Sequence, residues 1–133
     1  MNFELVSPEE KLVSQSVKMA VMPGEDGDFG VGQDHTSLVA SLRAGIVQLI
    51  AEDGETRRIF ITGGFADVSA SQCVVLAEEA TNVADLDVNK IRQNLADYAE
   101  DLEAAKGDNL ATLRIQRAID LDKARLQAVT GLY

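Results

Sequence analysis

Hydrophobic and polar positions alternate through the first 85 residues and then change period. VSQSVKMAVM (13–22), GIVQLIA (45–51), RRIFITGGFADVSA (57–70) and QCVVLAEEATNV (72–83) place β-branched and apolar residues between polar ones, the period of a half-buried strand. EDGET (52–56) sets Asp53-Gly54 between two such runs, a hairpin signal. No stretch in this half keeps apolar spacings of three and four for the length of a helix. Short strands with frequent turns predict a small antiparallel sandwich or barrel over residues 1–85.

From residue 86 the spacing becomes helical. Val88, Ile91, Leu95, Tyr98 and Leu102 follow one another at three, four, three and four, with Asp87 in front as an N-cap. In AAKGDNLATL, Gly107 suits a left-handed helix end and Asp108 caps a second helix. That helix carries Ile115, Ile119, Leu126 and Val129. Two apolar stripes joined by so short a turn predict an antiparallel two-helix hairpin over residues 86–133.

Charge changes the picture of what such a molecule can bind. The chain has 133 residues and a net charge of −10. A phosphate backbone would repel it, so nucleic acid is excluded as a partner, and so is simple electrostatic attachment to anionic lipid. The acidity is uneven. Residues 1–85 hold five Lys/Arg against fourteen Asp/Glu, whereas residues 108–133 hold four against three. At about 100° per residue, Arg114, Arg117 and Arg125 fall on one side of the last helix with Leu121, and Lys123 on the other. This face is either merely solvated or a docking surface for an acidic partner.

Candidate chemistry is sparse. MNFELVSPEEK has neither the basic nor the apolar region of a secretory signal, and no run approaches a membrane span. The single cysteine, Cys73, lies in the apolar run QCVVLA and reads as a buried structural thiol compatible with a reducing cytoplasm. MPGEDGDFGVGQDH (22–35) crowds acids beside glycines. A calcium loop needs acids at alternate positions and a closing glutamate, and here Phe29-Gly30-Val31 follows Asp28 directly. The stretch is expected to turn the chain, with Pro23-Gly24 as the middle pair of a type II turn, Gly27 as a second turn position and Phe29 as an apolar anchor. His35, beside Asp34, has no nucleophile with an oxyanion-hole signature near it and reads as a structural histidine at a loop edge. Nothing in the chain supplies paired carboxylates, a Cys-His pair or a P-loop, so no catalytic site and no metal is expected.

PGEDGDFGV, the later histidine, SLRAGIV and Gly63-Gly64-Phe65-Ala66-Asp67-Val68 together resemble the epsilon subunit of bacterial F-type ATP synthases. That family carries a proline-glycine turn, G-D-F-G-V, L-P-x-H-A-P-L, L-R-P-G and G-G-F-x-x-V in this order. Here Gly32-Gln33, Thr36-Ser37 and Ala44 replace residues of the pattern, all in loops. The resemblance spans the chain and implies a non-catalytic rotor component of the central stalk. In that role the 1–85 sandwich binds the gamma subunit near the ring of c subunits, helping to couple proton flow to ATP synthesis. It further implies a peripheral place at the cytoplasmic face of the bacterial inner membrane, reached only through the complex.

The same resemblance bears on the helical arm. Some epsilon subunits bind ATP through [IL]-D-x-x-R-A, and the matching segment here is Leu86-Asp87-Val88-Asn89-Lys90-Ile91. Lys90 lacks the planar fork of arginine and Ile91 adds bulk, so Asp87 and Lys90 are weak ATP candidates and no cofactor is expected. The arm of many family members restrains ATP hydrolysis. Here that would bring Arg114, Arg117 and Arg125 to the acidic segment of the beta subunit, beside alpha. The alternative class is a free-standing ligand-binding or enzymatic sandwich whose hairpin serves as a dimerisation arm.

Overall fold

The computed structural model describes residues 1–131; the last two positions of the expected hairpin lie outside the described residues. Ten strands come first: β1 (Asn2–Val6), β2 (Lys11–Ser16), β3 (Met19–Gly24), β4 (Gly27–Gly32), β5 (Leu38–Leu42), β6 (Gly45–Ile50), β7 (Thr56–Ile61), β8 (Gly64–Val68), β9 (Gln72–Ala77) and β10 (Ala80–Asn82). Two helices follow, α1 (Val88–Ala104) and α2 (Asn109–Thr130). The chain divides into two compact units, Met1–Ala84 and a second from Asp85 onward.

In the first unit the strands run in the order β10-β7-β6-β3-β5-β8-β9-β1-β2, with β4 paired to the free side of β3. The link between β3 and β5 is a single pair, Gly24 with Leu42, so the path bends there into two layers. All pairings are antiparallel except β1 with β9. Alternation decides which side chains go inside. Phe3 and Leu5 of β1, Ala66 and Val68 of β8, and Cys73 and Val75 of β9 are buried, together with Val47, Leu49, Ile59 and Ile61 from the other layer. The pleat therefore sends Glu4 and Val6, Phe65 and Asp67, and Val74 and Leu76 to the opposite face.

The expected sandwich is present, with finer division than the pattern indicated. Residues 13–22 are not one strand. At Val17-Lys18 the chain changes partner, Val17 donating to the Met1 carbonyl and Lys18 to that of Ile50, so β2 stays with β1 while β3 joins β6. Residues 57–70 divide at Gly63, which takes φ 123°, and residues 72–83 divide at Glu78-Glu79. β1, β4 and β5 lie outside the four runs that the alternation predicts as strands. The Pro23-Gly24 turn is also corrected. Both residues lie in β3, and the reversal falls on Glu25-Asp26, closed by Gly27 at φ 132° opposite Gly24. Pro23 still accepts a bond from the Arg43 amide through its carbonyl, and its missing N–H leaves no ladder donor unpaired. The Asp53-Gly54 hairpin between β6 and β7 forms as expected, with Gly54 at φ 87°.

In the second unit the Asp87 carboxylate accepts from the Lys90 amide at 3.2 Å and caps α1. Asp108 does the same for α2, accepting from Ala111 at 3.1 Å. Gly107 takes the left-handed φ of 91° between them. Beside this turn Thr112 donates its hydroxyl to the Ala105 carbonyl, tying the two helices together. Both predicted stripes are buried or half-buried along the seam.

Candidate partner interface

The ladder registers of the second layer place four side chains in one line across four strands. Val6 stands opposite Leu76, Leu76 opposite Phe65, and Phe65 opposite Ser41. All lie on the outward face. Phe65 is 56% exposed and Leu76 52%, and Val39, one pleat along β5 from Ser41, is 73% exposed. A phenyl ring and two aliphatic side chains clustered in water are costly. Such patches on soluble domains mark protein contacts.

Gly64 makes this line possible. It sits at φ 154° where β8 first meets β9, and a methyl group there would overlap the Leu76 carbonyl oxygen. Only a residue without Cβ lets the strands approach, and that approach brings Phe65 onto Leu76. An open cleft of about 560 Å³ runs along this row and is also lined by Ser7 and Pro8 of the β1–β2 turn and by Thr62 and Gly63 of the β7–β8 turn. Glu25 and Glu78 give its rim negative charge.

The acidic loop before β4 is held internally. Arg43 donates through one Nη to the Gly24 carbonyl and through the other to Asp28. This pair fixes the Glu25-Asp26 reversal against the start of β6, and Phe29 packs partly buried on the core. His35 Nδ1 bonds the Thr36 carbonyl at 2.6 Å, in a turn where Asp34 takes φ 64°. Cys73 is fully buried, with Sγ 3.8 Å from the Met22 sulfur. Burial pushes its thiol up to about 12, and the negative charge of Asp67 adds to the shift. It is therefore a poor nucleophile at neutral pH.

On α2 the arginines separate into two kinds. Arg114 and Arg117 are exposed and share a stripe with Leu110 and Leu113, spaced i, i+3, i+4 and i+7. Arg125 lies about two turns beyond Arg117 but is only 24% exposed in its side chain and donates to the Asp122 carboxylate at 2.8 Å. Of the three arginines expected on one side of α2, Arg114 and Arg117 are thus exposed and Arg125 is half-buried. Asp87 and Lys90 line a separate open cleft of about 440 Å³ with Asp85, Asn94, Asp122 and Arg125. Three carboxylates face two cations there, an unfavourable balance for a polyphosphate, and one oxygen of Asp87 is engaged as the α1 cap. Phe65 and Leu76 are exposed apolar residues that the strand pattern did not single out as a surface pair. Their signal lay in F-A-D-V and C-V-V-L-A, where strict alternation groups Phe65 with Asp67 and Leu76 with Val74 on the solvent side.

Residues 1–83 match the family described as ATP synthase, Delta/Epsilon chain, beta-sandwich domain. The chain is 45% identical to an ATP synthase epsilon chain of Maricaulis maris over 108 residues, covering 81% of this chain and 80% of that one. The chain belongs to the ATP synthase epsilon family. Over 131 residues it is 34% identical to the epsilon chain of Jannaschia sp., covering 98% and 97% of the two chains, so the family likeness extends through the helices. Among solved structures it is similar to a chain of the Euglena gracilis mitochondrial ATP synthase structure of OSCP, F1 and c-ring. The TM-score there is 0.83 at 21% identity, over 98% of this chain and 80% of that chain. At that identity the likeness establishes the shared fold. A chain from the Tetrahymena thermophila mitochondrial central stalk and c-ring matches at a TM-score of 0.59 with 14% identity, over 98% and 94%.

Proposed function

We propose that this chain is a non-catalytic subunit of the rotor of an F-type ATP synthase. Its sandwich seats against the gamma subunit near the c-ring, at the cytoplasmic face of a bacterial inner membrane. The observation that carries this reading is the exposed line Val6–Leu76–Phe65–Ser41, supported by membership in the epsilon family. A β-sandwich with a continuous core resists shear, and a flat apolar row with a cleft beside it offers anchor positions for a partner's side chains. The acidic rim selects a partner with basic residues around its contact. No helix among the described residues is long and apolar enough to cross a membrane, in keeping with attachment through other subunits.

The test is co-purification from membranes of wild type and of a Phe65→Ser, Leu76→Ser double variant. Wild type should travel with gamma and the c-ring. The double variant should keep its β-sheet circular dichroism yet bind gamma at least about 30-fold more weakly, corresponding to about 2 kcal/mol for the loss of central apolar anchors. Undiminished co-purification of the variant would remove this row from the interface. Self-association in place of gamma binding would favour the dimerisation-arm reading.

A further inference from the structure

The outward face of β8 carries a carboxylate where its neighbours are apolar. Asp67 is exposed and stands between Val39 of β5 on one side and Val74 of β9 on the other. Two residues back on the same face is Phe65, about 7 Å away along the strand, with Leu76 opposite it. Val39 is 73% exposed, so three of the groups around this carboxylate reach into water. Asp67 has no ion pair among the described residues, whereas Glu4 takes Lys11 and Asp28 takes Arg43. Lys11 is the cation that β5, β8, β9, β1 and β2 carry. It lies three strands from Asp67, about 14 Å, beyond the range at which exposed charges act through physiological salt. Burial is the main cause of the raised Cys73 thiol, but the charge of Asp67 adds to it across the sheet, so solvent does not cancel that charge.

We propose that Asp67 and Phe65 form a recognition site for an arginine side chain of the partner that covers this face. A partner seated on Val39, Phe65 and Leu76 also strips water from Asp67, and a carboxylate buried without a counter-charge is strongly unfavourable. The partner must therefore bring a cationic donor to this point. Arginine fits better than lysine. Its planar fork bonds both carboxylate oxygens, its flat face lies on a phenyl ring, and it gives up water more readily than an ammonium. The spacing of Asp67 and Phe65 is within reach of one guanidinium, which attracts a ring up to about 6 Å from the ring centre. A surface without that arginine leaves the charge unpaired, so Asp67 rejects wrong partners as well as holding the right one. The site deepens the partner reading above and rests on it only for the partner's identity as gamma.

Two measurements on the full chain test it. In the first, N-acetyl-arginine amide and N-acetyl-lysine amide are titrated separately and followed by NMR. The arginine probe should move the Phe65 ring protons and the amides of residues 39, 65–67 and 74 saturably, binding at least about fivefold more tightly than the lysine probe. Asp67→Asn should abolish the saturable response with the rest of the spectrum in place, and Phe65→Leu should weaken it severalfold. No response at these residues, equal response to both probes, or a response that survives Asp67→Asn would each overturn the proposal. In the second, Asp67→Asn should bind gamma at least about tenfold more weakly than wild type and with a shallower dependence on salt. If wild type binds gamma and the variant binds equally well, the arginine site is overturned while the seating on gamma stands. If wild type fails to bind gamma, that seating falls, and the probe titration alone decides the site.

Discussion

Gly64 and Gly54 both take left-handed backbone, yet their surroundings differ in a way that fixes what substitution does. At Gly54, φ 87° with open space around it, alanine meets only the conformational penalty, and Gly54→Ala should cost about 1 kcal/mol in chemical denaturation. At Gly64 the added methyl collides with the backbone of β9, which can yield only by breaking the β8–β9 ladder. Gly64→Ala should therefore cost about 3 kcal/mol or more, and gamma binding should fall with it, because Phe65 and Leu76 would separate. Cys73 gives a second test. The folded chain should resist thiol reagents at pH 8 and react stoichiometrically in denaturant. Its pH effect has a definite sign. The buried thiol stays protonated up to about 12, while in the unfolded chain it ionises from about 8.5. The unfolded state thus holds fewer protons in that window, and stability should decline as pH rises from about 8.5 towards 12. Cys73→Ala should flatten that decline.

Elements with local causes could be read from the sequence. The α1 cap at Asp87, the left-handed Gly107 and the Asp53-Gly54 hairpin each depend on residues within a few positions, and each formed where expected. Asp87→Ala should cost about 1 kcal/mol of hairpin stability, seen as faster exchange at Lys90 and Ile91, while Asn in its place should cost little. Features decided by distant partners were not legible. No local signal marks Val17-Lys18 as a break, because the break is a change of partner from β1 to β6. Pro23-Gly24 has the composition of a turn but is drawn into β3 by its pairing with β4, which moves the reversal to Glu25-Asp26. The stripe of α2 was legible except at 122, where a charged residue hid a buried position. Arg125, grouped by spacing with Arg114 and Arg117, is half-buried and paired with that same aspartate.

For the whole molecule, the two units differ in how they are held. The sandwich rests on a core shared by both layers, whereas the hairpin has a narrow seam interrupted at Asp122. Under the proposed role, the sandwich seats the subunit and the arm is the part free to regulate. The regulating contact would run through Leu110, Leu113, Arg114 and Arg117. Exposed ion pairs are each worth only about 0–1 kcal/mol, so the effect should be modest and salt-dependent. Arg114→Ala with Arg117→Ala should raise ATP hydrolysis by the assembled enzyme up to several-fold at low ionic strength and less at high, leaving coupled synthesis intact. Lys123→Ala should do nothing measurable. Identical hydrolysis rates across salt concentrations would show the stripe to be a solvated face.

The parallel pairing of β1 with β9 has a consequence for synthesis on the ribosome. β1 emerges first and can pair at once with β2, but its other edge stays open until Gln72–Ala77 has been made, some seventy residues later. A chain interrupted before that point would carry an uncovered strand and no finished core. It would also lack the proposed partner row in its complete form, because Val6 comes to stand beside Leu76 only through this late closure. The proposed surface for assembly thus depends on a pairing that joins the two ends of the sandwich sequence, and a nascent chain that stops short of β9 does not present it.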